Sequence, residues 1–126
     1  MKTDLYRLLA DYPLDRLLQT IPTGLFLVDI NKIIVYWNAE AERITGYKAE
    51  DAVGRHCSFL DGSPCDENCG LYEETVSKPQ IGLTCSFRHK DGRTVTLTKN
   101  VDLLRDQEGA VIGGIESFVD ISRLKQ

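Results

Sequence analysis

The apolar positions change period twice along the chain, and those changes divide it into helical, mixed and strand-rich parts. Leu5, Leu8, Leu9 and Tyr12 fall on one helical face, and Leu14, Leu17, Leu18 and Ile21 form a second stripe after Pro13 breaks the first. Thr3 or Asp4 is expected to cap the first helix. From Pro22 onward the apolar runs shorten. Gly24–Asp29 and Ile33–Trp37 read as strands, joined by a tight hairpin at Ile30, Asn31 and Lys32. Asn38 is placed to N-cap a short helix over Ala39–Thr45, with Glu40 and Glu42 near its positive end and Gly46 as its stop. Lys48–Val53 reads as a further short helix ended by Gly54.

The next stretch is irregular. Arg55–Phe59 suits a single turn, Asp61-Gly62-Ser63-Pro64 is turn chemistry, and Glu67–Ser77 resumes as helix with Leu71, Tyr72, Thr75 and Val76 for burial. Strict alternation then takes over. Ile81, Leu83, Cys85 and Phe87 share one face, His89–Gly92 makes a hairpin turn, and Val95, Leu97, Val101 and Leu103 mark a long strand whose inward row Lys99 interrupts. Asp106–Gly109 turns into a last strand, Ala110–Val119, and Asp120 opens a helix. This order predicts an α+β domain with one antiparallel sheet and helices gathered on one face. It divides into an amphipathic segment over 1–21, a core over 22–120 and the start of a connector helix over 121–126. The first segment either packs on its own domain or serves as a dimerisation arm.

Composition narrows the function classes. With 126 residues, 42% hydrophobic and 27% charged, the chain has the material for one folded domain. Its net charge of −4 is spread without a basic stripe, which argues against nucleic-acid binding. No apolar run reaches membrane-spanning length and the start lacks a signal-peptide core, so a cytoplasmic site with reduced thiols is expected. No acid–base pair, phosphate loop or H-x-E zinc motif is present, and neighbouring His56 and Cys57 on a helical turn point apart, so a thiol-dependent or metal-dependent enzyme is the weaker alternative.

Three stretches carry a family resemblance: Ile21–Tyr47, with N-x-A-x-E-x-x-x-G-Y after a strand pair; Arg88–Leu97, with K-D-G-R before a strand; and Asp106–Ser122, ending in D-I-S. In this order and at this spacing the chain resembles a PAS domain from about Leu14 to its end. The resemblance implies a five-stranded antiparallel sheet of order 2-1-5-4-3 with short helices on one face. It also implies a small-molecule cavity between that face and the helices over 57–77, and homodimers formed through the N-terminal helix and the sheet face. The implied cavity residues are Cys57, Phe59, Leu71, Cys85 and Phe87, and the implied signalling junction to an output domain is Asp120, Ile121 and Ser122. Kinase, diguanylate cyclase and transcription-factor outputs are equally compatible with it. The flavin-binding subgroup resembles G-x-N-C-R-F-L-Q where this chain has Gly54–Asp61, G-R-H-C-S-F-L-D, so flavin is not expected. Haem is not expected either, because neither His56 nor His89 matches an axial position.

Cys57, Cys65 and Cys69 cluster in the irregular stretch, and in this topology the inward strand residue Cys85 faces them. Cys65 and Cys69 are four apart and share a face if a helix begins at Cys65. PAS modules of bacterial diguanylate cyclases and transcriptional regulators similarly carry a C-x3-C-x-L run after an upstream cysteine. Three readings stand: buried thiols, a zinc or iron–sulfur site on all four, or a redox disulfide such as Cys65–Cys69 or Cys57–Cys65. The expected function is a non-catalytic sensor that relays ligand or redox state to an output module. The rival is a ligand-free structural dimerisation module.

Overall fold

Alternating apolar runs build the sheet, and the computed structural model describes residues 2–60 and 79–122, without the side chains of residues 2–4, 6 and 80. Helices α1 (Lys2–Leu9) and α2 (Leu14–Gln19) lead into strands β1 (Gly24–Asp29) and β2 (Ile34–Trp37). Helices α3 (Ala39–Thr45) and α4 (Ala49–Ala52) follow, then a 3-10 turn at Cys57–Leu60. Strands β3 (Gln80–Arg88), β4 (Thr94–Arg105) and β5 (Val111–Asp120) complete the order. The five strands form one antiparallel sheet in the order β2-β1-β5-β4-β3, as the family resemblance implies. Helix α1 begins at Lys2, so Thr3 and Asp4 lie inside its first turn rather than at its cap. The helix expected over Glu67–Ser77 and the connector beyond Ser122 lie outside the described residues.

One face of the sheet carries the core. Phe26, Val28, Ile34, Trp37, Cys85, Phe87, Val95, Leu97, Val101 and Phe118 pack there against Ala41, Ile44, Ala52, Cys57 and Leu60 from the helical side. Two bulges set which residues face it. In β2 the register steps past Val35, so Ile34 and Trp37 both point inward while Val35 is exposed. In β3 the register shifts between Gln80 and Leu83, around Gly82 at φ +73°. A one-residue slip moves a side chain to the other face. Ile81 is accordingly 74% exposed, which corrects its expected place in the inward row with Leu83, Cys85 and Phe87.

Local chemistry anchors the helical cover. Asn38 Oδ1 accepts from Ala41 N at 2.9 Å, the expected N-cap, and also from Leu25 N at 2.9 Å, while its Nδ2 donates to Thr23 O at 2.9 Å. One buried amide thereby ties α3 to β1. At the other end of α3, Gly46 adopts φ +80° and its N–H donates to Glu42 O at 2.8 Å. Here Lys90 N donates to Thr45 O at 2.9 Å, docking the β3–β4 turn onto the helix.

Candidate functional site

The inner sheet face is lined by a continuous train of aromatic rings. Tyr47 meets Phe59 edge-on at 4.9 Å, Phe59 meets Trp37 at 5.9 Å, and Trp37 stacks on Phe26 at 5.5 Å. Phe26 leads to Phe118 at 6.1 Å, and Phe118 meets Phe87 edge-on at 5.2 Å. Trp37 also donates Nε1–H to Tyr47 O at 2.9 Å, so its ring is fixed by both packing and a hydrogen bond.

Two charges stand at the end of this train. Lys99 on β4 and Glu116 on β5 are diagonal neighbours: Lys99 sits opposite Phe118, and Val101 opposite Glu116. Their side chains are 4% and 3% exposed, and Lys99 Nζ donates to Glu116 Oε1 at 3.2 Å. The Lys99 ammonium also lies 5.7 Å from the centroid of the Phe87 ring, a cation–π contact. Lys99 thus keeps the inward row that the sequence suggested it interrupts, because an acid of the next strand answers it. Glu116 escaped the sequence reading, although its parity with Phe118 places it on the apolar face.

Cys85 belongs to the same wall. Burial pushes its thiol above the ordinary value, the Lys99 charge draws it back down, and Glu116 pushes it up again. The neutral thiol is therefore favoured over the thiolate. Cys57 and Cys85 are both buried and both members of the core cluster. Phe59 is half-buried against that cluster and Phe87 lies within it. Leu71, Cys65 and Cys69 lie outside the described residues, as does any disulfide or four-thiolate arrangement that uses them. His56 is exposed, with Nδ1 held by Ser58 Oγ at 2.8 Å, while Cys57 faces the core, so the two form no thiol–imidazole pair.

The C-terminal junction is fastened to the same strands. Ile121 N donates to Thr96 O at 2.9 Å and Thr96 N donates to Ser122 Oγ at 3.2 Å. Asp120 Oδ1 accepts from Ser122 N at 2.9 Å, which sets the turn out of β5. Thr96 lies three residues from Lys99 on β4, and Asp120 four from Glu116 on β5. Among the described residues no helix is long and apolar enough to cross a membrane.

Comparison with known proteins agrees with this architecture. A family model described as PAS fold matches residues 13–118. The chain is 31% identical over 107 residues to phytochrome D of Arabidopsis thaliana, covering 85% of this chain and 8% of that protein. It is 26% identical over 117 residues to the signal transduction histidine-protein kinase AtoS of Escherichia coli (strain K12), covering 89% of this chain and 18% of that protein. The PAS domain of a protein from Colwellia psychrerythraea superposes with a TM-score of 0.75 at 18% identity, covering 86% of this chain and 93% of that one. The chain thus spans a small fraction of its curated relatives and nearly all of a solved single domain. The matched span, the 2-1-5-4-3 sheet and the helices over its inner face together establish that the chain belongs to the PAS family of sensory domains.

Proposed function

We propose that the chain is a non-catalytic sensor that holds a small molecule between the inner sheet face and the helices, and reports its presence through β5 to an output module. The observation that carries this reading is the link between the buried Lys99–Glu116 pair and the junction. The same two strands hold both, and Ile121 and Ser122 hydrogen-bond to Thr96. A change at the pair alters the β4–β5 ladder, and that ladder fixes where the chain leaves the sheet. The histidine kinase and phytochrome relatives support an output domain elsewhere in the same protein.

Amide hydrogen exchange tests the link. Replacing Lys99 and Glu116 together by Met is expected to change protection at Ile121 and Thr96 while leaving Ile34, on the far strand, unchanged. Equal protection at Ile121 and Thr96 in the two proteins would contradict the coupling.

A second observation supports dimerisation through the N-terminal helix and the outer sheet face. Leu5, Leu8 and Leu14 are 52%, 77% and 67% exposed, an apolar stripe on α1 and α2. The outer sheet face carries a groove of about 230 Å3 lined by Leu25, Ile81, Ile115 and Ser117 among others. The helix stripe and the groove are unlike surfaces on one chain, and in a twofold dimer each copy's stripe reaches the other's groove. This would serve a sensor and a ligand-free dimerisation module alike, and the ligand distinguishes them.

A further inference from the structure

We infer that the turn between β3 and β4 is a proton-operated clasp: charging of His89 moves its Nδ1 contact from the Asp91 backbone to the Asp91 carboxylate and loosens the turn's hold on α3. This goes beyond the sensor reading and requires no bound molecule. The hold is made by His89 and Lys90. The His89 side chain is 14% exposed and lies so close over Gly46 that a Cβ there would sit 2.6 Å from its Cε1. Lys90 N donates to Thr45 O at 2.9 Å, and Lys90 Nζ lies 3.8 Å from Asp51 Oδ2 on α4. Tyr47 follows Gly46, and Phe87 stands two residues before His89. The clasp thus joins the helical cover to β3 beside both ends of the aromatic train.

One ring nitrogen carries the switch. His89 Nδ1 accepts from Asp91 N at 3.1 Å and also stands 3.1 Å from Asp91 Oδ1. As an unprotonated acceptor that nitrogen suits the N–H and opposes the carboxylate. As an imidazolium donor it suits the carboxylate and opposes the N–H. Neither protonation state satisfies both contacts, so gaining a proton changes the turn at Asp91. The Arg93 backbone N–H, and with it the Arg93 side chain, holds the Asp91 carboxyl below the ordinary range and keeps it an anion. The Asp91 N–H lies in the peptide that follows Lys90, so turning it away pulls on the residue that holds Thr45. The other charges on the elements around the ring are engaged or exposed. Lys90 faces Asp51, Glu42 of α3 accepts from Ala49 N at 2.7 Å, and Glu40 and Arg43 bind each other. Arg88 donates to Gly92 O at 3.1 Å, Lys48 and Glu50 are exposed, and the Tyr47 ring meets Phe59. Among the described residues, Asp91 is the carboxylate in contact with His89.

Two-dimensional NMR of the intact domain, titrated from about pH 8 to about pH 5, tests the clasp, because histidine is the side chain that ordinarily charges across that range. The His89 Cε1 proton reports its own protonation, and the Asp91 and Lys90 amides report the turn. Both amides are expected to follow the His89 titration with its midpoint. Over the same range the Lys90 protection factor in hydrogen exchange should fall about three- to tenfold, the scale of one hydrogen bond. His89→Gln keeps an acceptor for Asp91 N but cannot charge, so its Lys90 protection should hold steady. Asp91→Asn keeps an acceptor for Arg93 N but offers no anion, so the Lys90 response should be lost although His89 still titrates. Amides that ignore the His89 titration in the natural protein, or a Lys90 response that persists undiminished in either variant, would overturn the clasp. The shared midpoint in the natural protein decides the matter if a variant fails to fold.

Discussion

Lys99 and Glu116 are worth little to the fold as a pair and a great deal once separated. Lys99→Met alone removes the ammonium that pairs with a buried carboxylate, and is expected to lower unfolding stability by about 3–5 kcal/mol, measured by urea denaturation. The double replacement by Met is expected to restore stability to about the natural level or above it. A single variant as stable as the double one would mean that the pair is wet and uncoupled. Cys85 gives a pH signature at the same place. Its folded-state thiol is raised by burial, so the unfolded chain loses that proton first, from about pH 8.5. Stability from this group is therefore complete below that pH and lost as pH rises toward the folded value. Thermal melts should fall less steeply between about pH 8.5 and 10 for Cys85→Ala than for the natural protein; parallel slopes would contradict the shift. These residues were only half legible in sequence. Lys99 stood out as a break in an apolar row, but its meaning depends on Glu116, 17 residues on and brought beside it only by strand pairing.

At the scale of elements, α3 shows how much short-range chemistry reveals. Its N-cap at Asn38 and its left-handed stop at Gly46 are written in neighbouring residues, and both form as read. What neighbours do not show is that the same amide also ties down Leu25 and Thr23, or that a Cβ at Gly46 would sit 2.6 Å from Cε1 of His89. Asn38→Ala should therefore exceed an ordinary cap loss and cost about 2–4 kcal/mol, since Leu25 N and Thr23 O lose buried partners too. Chemical denaturation giving under about 1 kcal/mol would mean that water replaces the amide. The bulge in β3 carries the opposite lesson. Alternation alone placed Ile81 inward, and Gly82 at positive φ turned it outward. A glycine within a strand pattern was the visible signal, and its consequence for register depended on the pairing with β4.

For the whole molecule, the succession of periods gave one antiparallel sheet with helices gathered on one face, while the strand order came from the resemblance to PAS domains carried by the N-x-A-x-E-x-x-x-G-Y, K-D-G-R and D-I-S stretches. The cysteines were less legible: burial of Cys85 followed from strand alternation and Cys57 was placed only by the resemblance, whereas the charge pair next to Cys85 depends on the pairing of β4 with β5. Assembly belongs to this scale as well. Leu8→Glu, on the exposed α1 stripe, is expected to shift sedimentation from dimer toward monomer without lowering the melting temperature of the domain, and an unchanged sedimentation profile would remove α1 from the interface. The central claim is that a change at the inner face is felt where the chain leaves the sheet. The most direct measurement is hydrogen exchange at the Ile121 amide in the natural protein and in Lys99→Met/Glu116→Met. A change in Ile121 protection between the two is the predicted result, and equal protection at Ile121 in both folded proteins would contradict the account.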